Sequence, residues 1–572
     1  MPILPKTALF VILQSWSLVL QLVSAVWYER QLSRYRHHWL VQLHQVADLA
    51  RLEQACTAFH VNNGLGTPVI HPASRLVRAL LVKYLHNLSL RQTEELIDNH
   101  LLTKWFVGYG LFETPPDHST LDRFELWLFR HHPRLFFDEV IRMIDHLCPE
   151  DRQRLQLVDT FALHARAANT YLIELLRDLC RHLLCRLADV DPDRHLALLA
   201  QLNLPALLGA PDEKITPALD AQQRAERLQQ VGSQARRLLR LLNDSLEQAP
   251  CLPPDDQAPL RLLLAALDKI ITDETTVTAN NPADPDDITI TERPHGQKGS
   301  YRIGSATDLE ATYRKNHHDT QAILGYNPTV LGSKVFIRET HLATGAEPDN
   351  VGLATVLQNQ FEHHGFFPEH LAGDMAYGHG KTRAQIEQLT HGQTQIIALV
   401  PDYEQRSQRF TPRDFTLADD GRSLTCPHHQ TTTRRYLHPA EGGLQFRFPA
   451  KLCRDCPLWD QCRGPNSKTS AARNVFISFY RDQIEVAQDF NQSDTFKEGI
   501  KQRMNIERLI FCLTNIHGAR RAHSYGQQRT DYQLKMQATA FNLRQLVREM
   551  VKKRGPTLAA PPTRGALRPV AV

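Results

Sequence analysis

Apolar residues recur at helical spacing through the first quarter of the chain. Leu76, Leu80 and Tyr84 lie on one face of such a run, as in an amphipathic helix. Residues 30–150 are therefore predicted to form a helical domain. Its short helices and tight turns suit a helix-turn-helix DNA-binding unit and a plain helical bundle equally well.

Polar residues just ahead of these runs predict where helices begin. Ser89 is the predicted N-cap of one helix, and Ser119 of another, where Asp122 three residues later forms a variant capping box. Asn350 is a cap residue for a helix predicted over 349–363.

Short apolar runs predict strands in the middle of the chain. Residues 155–158 form one such run, which ends in Asp159 and Thr160, and it reads as a buried strand with a carboxylate at its end. The stretches 327–331 and 334–340, separated by Gly332 and Ser333, predict a hairpin. Further elements are expected as strands over 370–373, which precedes Asp374, and 394–400, and as a helix over 381–389.

The order of these elements defines a predicted α/β fold class. Residues 171–272 are helical in pattern and 280–295 read as a loop, so 171–295 is treated as an insertion in a surface turn. Without it the order resembles the ribonuclease-H-like mixed sheet core, in which the first and fourth strands are neighbours. The predicted division is an apolar N-terminal helix 1–29, the helical domain 30–150, a catalytic core of 151–170, 296–400 and 491–554, the helical insertion 171–295, a small β-rich insertion with a cysteine cluster 401–490, and a disordered tail 555–572.

The apolar N-terminal segment could be a membrane anchor or a helix that packs on the protein. Residues 7–28 carry no charge and are long enough to cross a bilayer. Gln14, Ser17, Gln21 and Ser24 nevertheless mark a polar stripe along one helical face. A packing helix or an upstream extension is favoured over a membrane anchor, and the rest of the chain is typical of a cytoplasmic protein.

The small net charge of the whole chain hides a strongly basic segment. The 572 residues hold 66 Lys and Arg against 62 Asp and Glu, a net +4, which taken alone argues against a nucleic-acid protein. Residues 497–554, however, hold 13 basic and 4 acidic residues, a net +9. Arg520 and Arg521, with Tyr525 nearby, suit a track for DNA phosphates, whereas the basic end of this segment suits a solvated helix face.

Four cysteines form a possible metal site. Cys453 and Cys456 have the spacing of a zinc knuckle, Cys462 follows, and Cys426 supplies a fourth thiolate, with His428 and His429 as alternatives. A structural Zn²⁺ is favoured, and uncoordinated buried thiols are the alternative. Trp459, beside the cluster, is weighed as a base-stacking residue and as a packing residue, with packing favoured.

Three carboxylates carry the predicted catalysis. Asp159 and Asp374 end two strands, and Glu507 lies on a later helix. Phosphoryl transfer on DNA needs divalent metal held by hard oxygen ligands, and two ions together activate the attacking oxygen and stabilise the leaving one. Asp308 and His164 are weaker candidates near the same place, with a loop role and a packing role as their respective alternatives.

The chain resembles bacterial insertion-sequence transposases of the DDE class. The resemblance rests on HPASRLVRALLVKYLHNLSLRQ and PPDHSTLDRF near the N-terminus, LVDTFALHARA around Asp159, LAGDMAYG around Asp374, RMNIERLIFCLTNIHGARRAHSYGQ around Glu507, and QATAFNLRQLV. It implies a ribonuclease-H-like core with two Mg²⁺ or Mn²⁺ ions at these carboxylates. It also implies cleavage at terminal inverted repeats of double-stranded DNA, strand transfer into target DNA, and a homodimer in the DNA complex.

One motif of this group is only half kept. The pattern places Tyr, Arg, Glu and Lys at fixed intervals, and Arg503 and Glu507 match. Ile500 and Thr514 stand at the other two positions, which puts the phosphate contacts from there in doubt. The i, i+4 spacing predicts Arg503 and Glu507 on one helix face, with Arg503 near a phosphate. Arg508 and Lys501 are the substitutes considered for the missing contacts.

Three functions compete on these observations. The first is an active, nucleoid-associated cytoplasmic transposase. The second is a catalytically inactive DNA-binding protein derived from one. The third is a membrane-attached interaction protein built on the apolar N-terminus, which the favoured packing helix makes the weakest.

Overall fold

The computed structural model describes residues 6–60, 69–210, 213–248, 253–315, 320–400, 409–439, 442–463 and 472–554. Within these ranges the α-helices are α1 Lys6–Arg34, α2 Trp39–Val46, α3 Ala50–Ala55, α4 Ala73–Leu85, α5 Leu90–Asn99, α6 Leu101–Val107, α7 His118–His131, α8 Leu135–Leu147, α9 Leu172–Val190, α10 Pro192–Leu199, α11 Leu204–Leu208, α12 Ala221–Gln248, α13 Pro254–Glu274, α14 Gly352–His364, α15 Gly380–Leu389, α16 Ala450–Cys453, α17 Trp459–Cys462, α18 Arg481–Phe490, α19 Asp494–Gln502, α20 Asn505–Asn515 and α21 Gln527–Arg554.

The strands of the same ranges are β1 Gln156–Thr160, β2 Leu163–His164, β3 Thr275–Ala279, β4 Ile288–Glu292, β5 Thr312–Arg314, β6 Ile323–Gly332, β7 Ile337–Thr344, β8 His370–Ala372, β9 Gln395–Ile397, β10 Thr416–Leu417, β11 Leu424–Thr425, β12 Thr431–Thr432, β13 Arg435–His438, β14 Gly443–Phe448 and β15 Arg473–Ser478. The chain is a mixed α/β protein, as predicted.

The central sheet is mixed. Strands β7, β6, β1, β8 and β9 lie side by side in that order; β6 is antiparallel to β1 and β7, while β1, β8 and β9 are parallel. The short strands β2 and β5 also pair with β6. The predicted hairpin is therefore present as β6 and β7, and both are almost wholly buried.

The N-terminal helices and the sheet share one hydrophobic core. Buried side chains of α4, α7 and α8 pack in the same cluster as those of the sheet and of α21. Asn542 of α21 ties the helix to β7, because its side chain accepts from the Ile337 N–H at 2.9 Å and donates to the Ile337 carbonyl at 2.8 Å. Pairing these two backbone groups removes the cost of burying them.

The predicted helix caps have mixed outcomes. Ser89 caps α5 in a reciprocal capping box with Gln92, so this prediction is confirmed. Ser119 was the wrong cap for α7, because the carboxylate of Asp117 accepts from the Thr120 N–H at 2.7 Å and starts the helix at His118. Asp122 therefore lies inside the helix and not in a capping box.

Asn350 is not a cap either. Helix α14 begins at Gly352, after Val351, which makes no side-chain cap bond. The Asn350 amide instead donates to the Thr382 hydroxyl at 3.0 Å, in α15.

The helical insertion has its own hydrophobic core. Helices α9, α12 and α13 bury leucines and isoleucines against one another. The predicted loop over 280–295 is wrong in part, because β4 lies inside it and pairs with β3. Along β4, Ile288 and Ile290 face the core and the threonines face outward, which is the alternation of a half-buried strand.

Two small three-stranded sheets form the β-rich insertion: β10–β11–β12 and β13–β14–β15. Their buried face includes Phe415, Phe446 and Phe448, with Cys426, Cys453 and Cys462 packed beside them. The expectation of a β-rich segment here is met.

Helix α1 contacts the rest of the chain through its polar positions. The buried Ser24 hydroxyl accepts from the Leu111 N–H at 3.1 Å, and the Tyr28 hydroxyl donates to the Tyr109 carbonyl at 3.0 Å. Among the helices of the described ranges, none combines the length and apolarity needed to cross a membrane.

Candidate active site

The parallel pairing of β1 and β8 brings Asp159 and Asp374 together. Leu157 is opposite Ala372, and each carboxylate follows two residues later on its chain. Asp159 accepts from the Thr160 N–H at 2.8 Å, and Asp374 accepts from the Ala376 N–H at 2.9 Å. These bonds hold both carboxylates at one edge of the sheet.

Burial and a neighbouring charge make Asp159 hard to ionise. Burial raises the pKa of Asp159 to about 6, and the charges of Asp374 and Asp349 act in the same direction. The Thr160 N–H and the Arg503 guanidinium lower this pKa. Two like charges at one sheet edge are what a bound cation would relieve.

Glu507 lies apart from this pair. It is in the first turn of α20, which packs against β1, but 64% of its side chain is exposed. No three His, Cys, Asp or Glu side chains in the described ranges are arranged to hold a metal ion. The structure therefore brings Asp159 and Asp374 together but does not assemble Glu507 with them.

Arg503 and Glu507 do not share one helix, contrary to the prediction. Helix α19 ends at Gln502, Arg503 follows it, and α20 begins at Asn505. The Asn505 amide donates to the Gln502 carbonyl at 2.8 Å, so a side chain takes a bond that a continuous helix would make. The two side chains still form a loose ion pair, with Arg503 Nη2 3.8 Å from Glu507 Oε1.

Three residues that were not predicted from the sequence surround Asp159 and Asp374, namely Arg314, Asp349 and Tyr377. Arg314 Nη2 is 3.0 Å from Asp349 Oδ1 and donates to the Thr160 hydroxyl at 3.3 Å. The third, Tyr377, is fully buried, and its hydroxyl makes no hydrogen bond within the described part of the chain. Burial raises the pKa of Tyr377 well above its ordinary value, and the charges of Asp159, Asp374 and Asp349 add to this.

No sequence signal marks these three residues. Asp349 follows Pro348 in a stretch that reads as a helix start, Arg314 lies on a three-residue strand, and Tyr377 reads as a packing residue. Their shared location depends on the pairing of β5 with β6 and of β1 with β8.

The donor atoms fit a hard divalent cation. Asp159 and Asp374 supply carboxylate oxygens, which Mg²⁺ and Mn²⁺ prefer. The unpaired Tyr377 hydroxyl beside them is a polar group for which the described part of the chain supplies no partner.

The two weaker candidates have other tasks. The Asp308 carboxylate is buried and accepts from the Tyr326 hydroxyl at 2.7 Å. The backbone of His164 pairs with Arg520 and Ala522, so β2 gains a neighbour from the chain after α20. Burial lowers the pKa of His164, as do the charges of Arg521 and Arg520.

Basic side chains are exposed along this neighbouring segment. Arg520 and Arg521 both face solvent. Arg166 extends the group, with its guanidinium 5.3 Å from the centre of the Tyr525 ring. Arg508 is also exposed and donates to the Lys334 carbonyl.

The four cysteines line one small cavity. Cys426, Cys453, Cys456 and Cys462 surround about 30 Å³, together with Trp459 and two phenylalanines. Burial raises the pKa values of Cys453 and Cys462, and the other thiols contribute. His428 and His429 are exposed outside the cavity, and Trp459 is half-buried as a packing residue would be.

Two family models match the chain. A transposase domain (DUF772) matches residues 28–125, and a transposase DDE domain matches residues 425–547. Together the two matches support an insertion-sequence DDE transposase. The second match includes the cysteine cluster, Glu507, Arg520 and Arg521 of this transposase but does not reach back to Asp159 and Asp374. Neither a curated protein nor a solved structure matches it.

Proposed function

We propose that this transposase cuts DNA at the ends of its element and transfers the strand to target DNA, with two Mg²⁺ or Mn²⁺ ions at Asp159, Asp374 and Glu507. The observation that carries the proposal is the parallel pairing of β1 with β8, which places Asp159 and Asp374 at neighbouring strand ends. The strand order β7–β6–β1–β8–β9, antiparallel then parallel, supports a ribonuclease-H-like core.

Each protein group has a definite task in this reaction. When bound, the divalent ions activate the attacking oxygen and stabilise the leaving oxygen of the phosphodiester. Asp159 must be ionised in this reaction, and its raised pKa means that the carboxyl keeps its proton below a pH of about 6. Glu507 must turn from solvent toward the sheet edge, which breaks its loose ion pair with Arg503 and frees that guanidinium for a phosphate.

The same proposal assigns a role to each region of the chain. Residues 30–150 bind DNA beside a catalytic core of 151–170, 296–400 and 491–554, which is interrupted by insertions over 171–295 and 401–490. Arg520, Arg521 and Arg508 contact phosphates of the terminal inverted repeats, and the protein acts on double-stranded DNA as a homodimer.

A structural zinc ion completes the proposal for the second insertion. Four partly buried thiols line one cavity together with Phe415 and Phe448, which supports Zn²⁺ at Cys426, Cys453, Cys456 and Cys462. Side chains must turn inward to reach ligand distance, because the described residues form no ready metal set.

The decisive experiment is metal-dependent cleavage of a duplex that carries the terminal repeats of the element. Asp159→Asn, Asp374→Asn and Glu507→Gln should abolish cutting but keep binding. Glu498→Gln, an exposed carboxylate on α19, is the matched control and should cut as the wild type does. Wild-type binding without any cutting would favour the inactive DNA-binding alternative, and full activity of the three variants would disprove the triad.

A further inference from the structure

A groove opens directly beside the acidic pair. Its volume is about 610 Å³, and its lining includes Tyr301, Arg302, Tyr313, Lys315 and His379. Arg314, Asp349 and Ala376 also line it. Since Ala376 binds the Asp374 carboxylate through its N–H, the groove begins at the candidate active site.

Arg314 connects the groove to the strand that carries Asp159. Its Nη2 bonds both to Asp349 and to the hydroxyl of Thr160, the residue after Asp159. A DNA strand whose phosphate lies at Asp159 and Asp374 would therefore continue past Arg314 into the groove.

Tyr301 presents an aromatic ring on the wall of this groove. It is 40% exposed, and its backbone φ of 54° lies in the left-handed region. A bulky residue rarely adopts this conformation, which persists where the surroundings hold it. Such strain is frequent at ligand-binding positions.

The neighbour of Tyr301 is firmly anchored. Arg302 Nη2 donates to Glu274 at 3.0 Å, and its guanidinium lies 5.0 Å from the centre of the Tyr313 ring. These contacts hold the backbone after Tyr301 in place while leaving its ring exposed.

Charge on the groove is unevenly paired. Arg302 and Arg314 are neutralised by Glu274 and Asp349. Lys315 is exposed and makes no ion pair with any residue in the described ranges. The carboxylate of Glu347, which also lines the groove, makes no ion pair within those ranges either. Lys315 is thus the cation best placed to bind a phosphate, whereas the negative charge of Glu347 would repel a phosphate.

We propose that this groove holds the single DNA strand next to the scissile phosphate, with a base stacked on Tyr301 and a backbone phosphate beside Lys315. Stacking on an aromatic face tolerates any base, so the groove binds without regard to sequence. The inference rests on the proposed function and adds the path of the strand and the two residues that hold it.

The first test measures the binding of fluorescent oligothymidylate to the full chain in EDTA, where no cleavage occurs. Tyr301→Ala should raise Kd about fivefold or more, and Tyr301→Phe should stay within about twofold of wild type, because the stacking face is kept. Tyr436→Ala removes an exposed tyrosine on β13 and should leave Kd unchanged. Equal effects of the two alanine variants, or no binding by the wild type, would overturn the proposal.

The second test uses salt. Lys315→Gln should reduce the slope of log Kd against log salt by about 0.7, the value for one phosphate contact on a single strand. Glu347→Gln should bind as tightly as wild type or more tightly. An unchanged slope for Lys315→Gln would remove the phosphate contact from the proposal.

These assays fail separately from the proposed function. Loss of metal-dependent cutting concerns Asp159 and Asp374, whereas the changes in oligothymidylate binding that Tyr301→Ala and Lys315→Gln cause in EDTA concern the groove. A wild type that cuts DNA while Tyr301→Ala binds oligothymidylate normally would disprove the groove and keep the function.

Discussion

Arg314 and Asp349 form an ion pair of 3.0 Å near the end of β1 that carries Asp159. Only 11% of the Arg314 side chain is exposed, against 34% of that of Asp349. Asn327 also donates to Asp349 at 3.0 Å. The pair therefore fixes the loop after β7 against the strand that carries Asp159, the proposed catalytic carboxylate.

Loss of this pair should cost stability. Arg314→Gln leaves the partly buried Asp349 carboxylate without its cation, and we expect the free energy of unfolding to fall by about 1–3 kcal/mol. Arg181→Gln is the control, because Arg181 and Asp178 form an exposed pair of the kind worth roughly 0–1 kcal/mol. Urea unfolding measures both variants, and equal losses would show that Arg314 does not fix the loop.

The raised pKa of Asp159 predicts a pH dependence of cleavage. At Mg²⁺ concentrations well below saturation, the rate should rise about tenfold per pH unit up to a pH of about 6 and then level off. Asp349→Asn removes a charge that raises this pKa, so its rate should level off at lower pH. Glu498→Gln should match the wild-type profile, and a flat wild-type profile between pH 5 and 7 would contradict the assignment.

The raised pKa of Asp159 makes stability and the cleavage rate depend on pH in opposite directions. Folding raises the pKa of Asp159 from 3.8 to about 6, so the native state binds this proton more tightly than the unfolded chain. The contribution of Asp159 to the free energy of unfolding should therefore grow as the pH falls through about 6 and become constant below 3.8. The difference between wild type and Asp159→Asn in urea unfolding, measured across this range without metal, checks the sign.

The cysteine cavity predicts a metal content. Protein purified without chelators should carry about one zinc ion per chain, and Cys453→Ser or Cys456→Ser should lose it and melt at lower temperature. Cys185→Ser is the control, because Cys185 is exposed on α9. Elemental analysis measures the zinc content. Wild-type protein that holds no zinc, and whose Tm does not change after chelation, would show that the thiols are uncoordinated.

Arg520 and Arg521 predict a salt dependence of duplex binding. Replacement of both by Gln should weaken binding to terminal-repeat duplex and reduce the salt slope by about 0.9 for each phosphate that the protein no longer neutralises. Lys552→Gln is the control, since Lys552 is exposed at the end of α21 and pairs with Glu549. Fluorescence anisotropy at several salt concentrations measures the slope, and an equal change in the control would point to net charge alone.

Local patterns gave correct predictions where local contacts decide the outcome. Ser89 caps α5 because its partner Gln92 is three residues away. Asp159 stands at a strand end because a short apolar run precedes it. The cysteine spacing predicted a zinc site; the four side chains line one cavity, and the zinc ion stays a prediction.

Predictions failed where two local solutions compete. Asp117 and Ser119 are both good cap residues, and α7 uses the earlier one, since the Asp117 carboxylate accepts from the Thr120 N–H. An i, i+4 spacing implied one helix for Arg503 and Glu507, but the Asn505 side chain takes the Gln502 carbonyl and splits it. The alternation along β4 was read as loop because acidic and proline residues precede it.

Periodicity, motif order and charge are properties of neighbouring residues, so they are enough to predict the α/β class, the resemblance to DDE transposases, the basic segment and the carboxylates at strand ends. The fold alone places Asp349, Arg314 and Tyr377 around Asp159 and leaves Glu507 facing solvent. Residues more than 150 positions apart meet there through strand pairing, and no local pattern records which strands become neighbours.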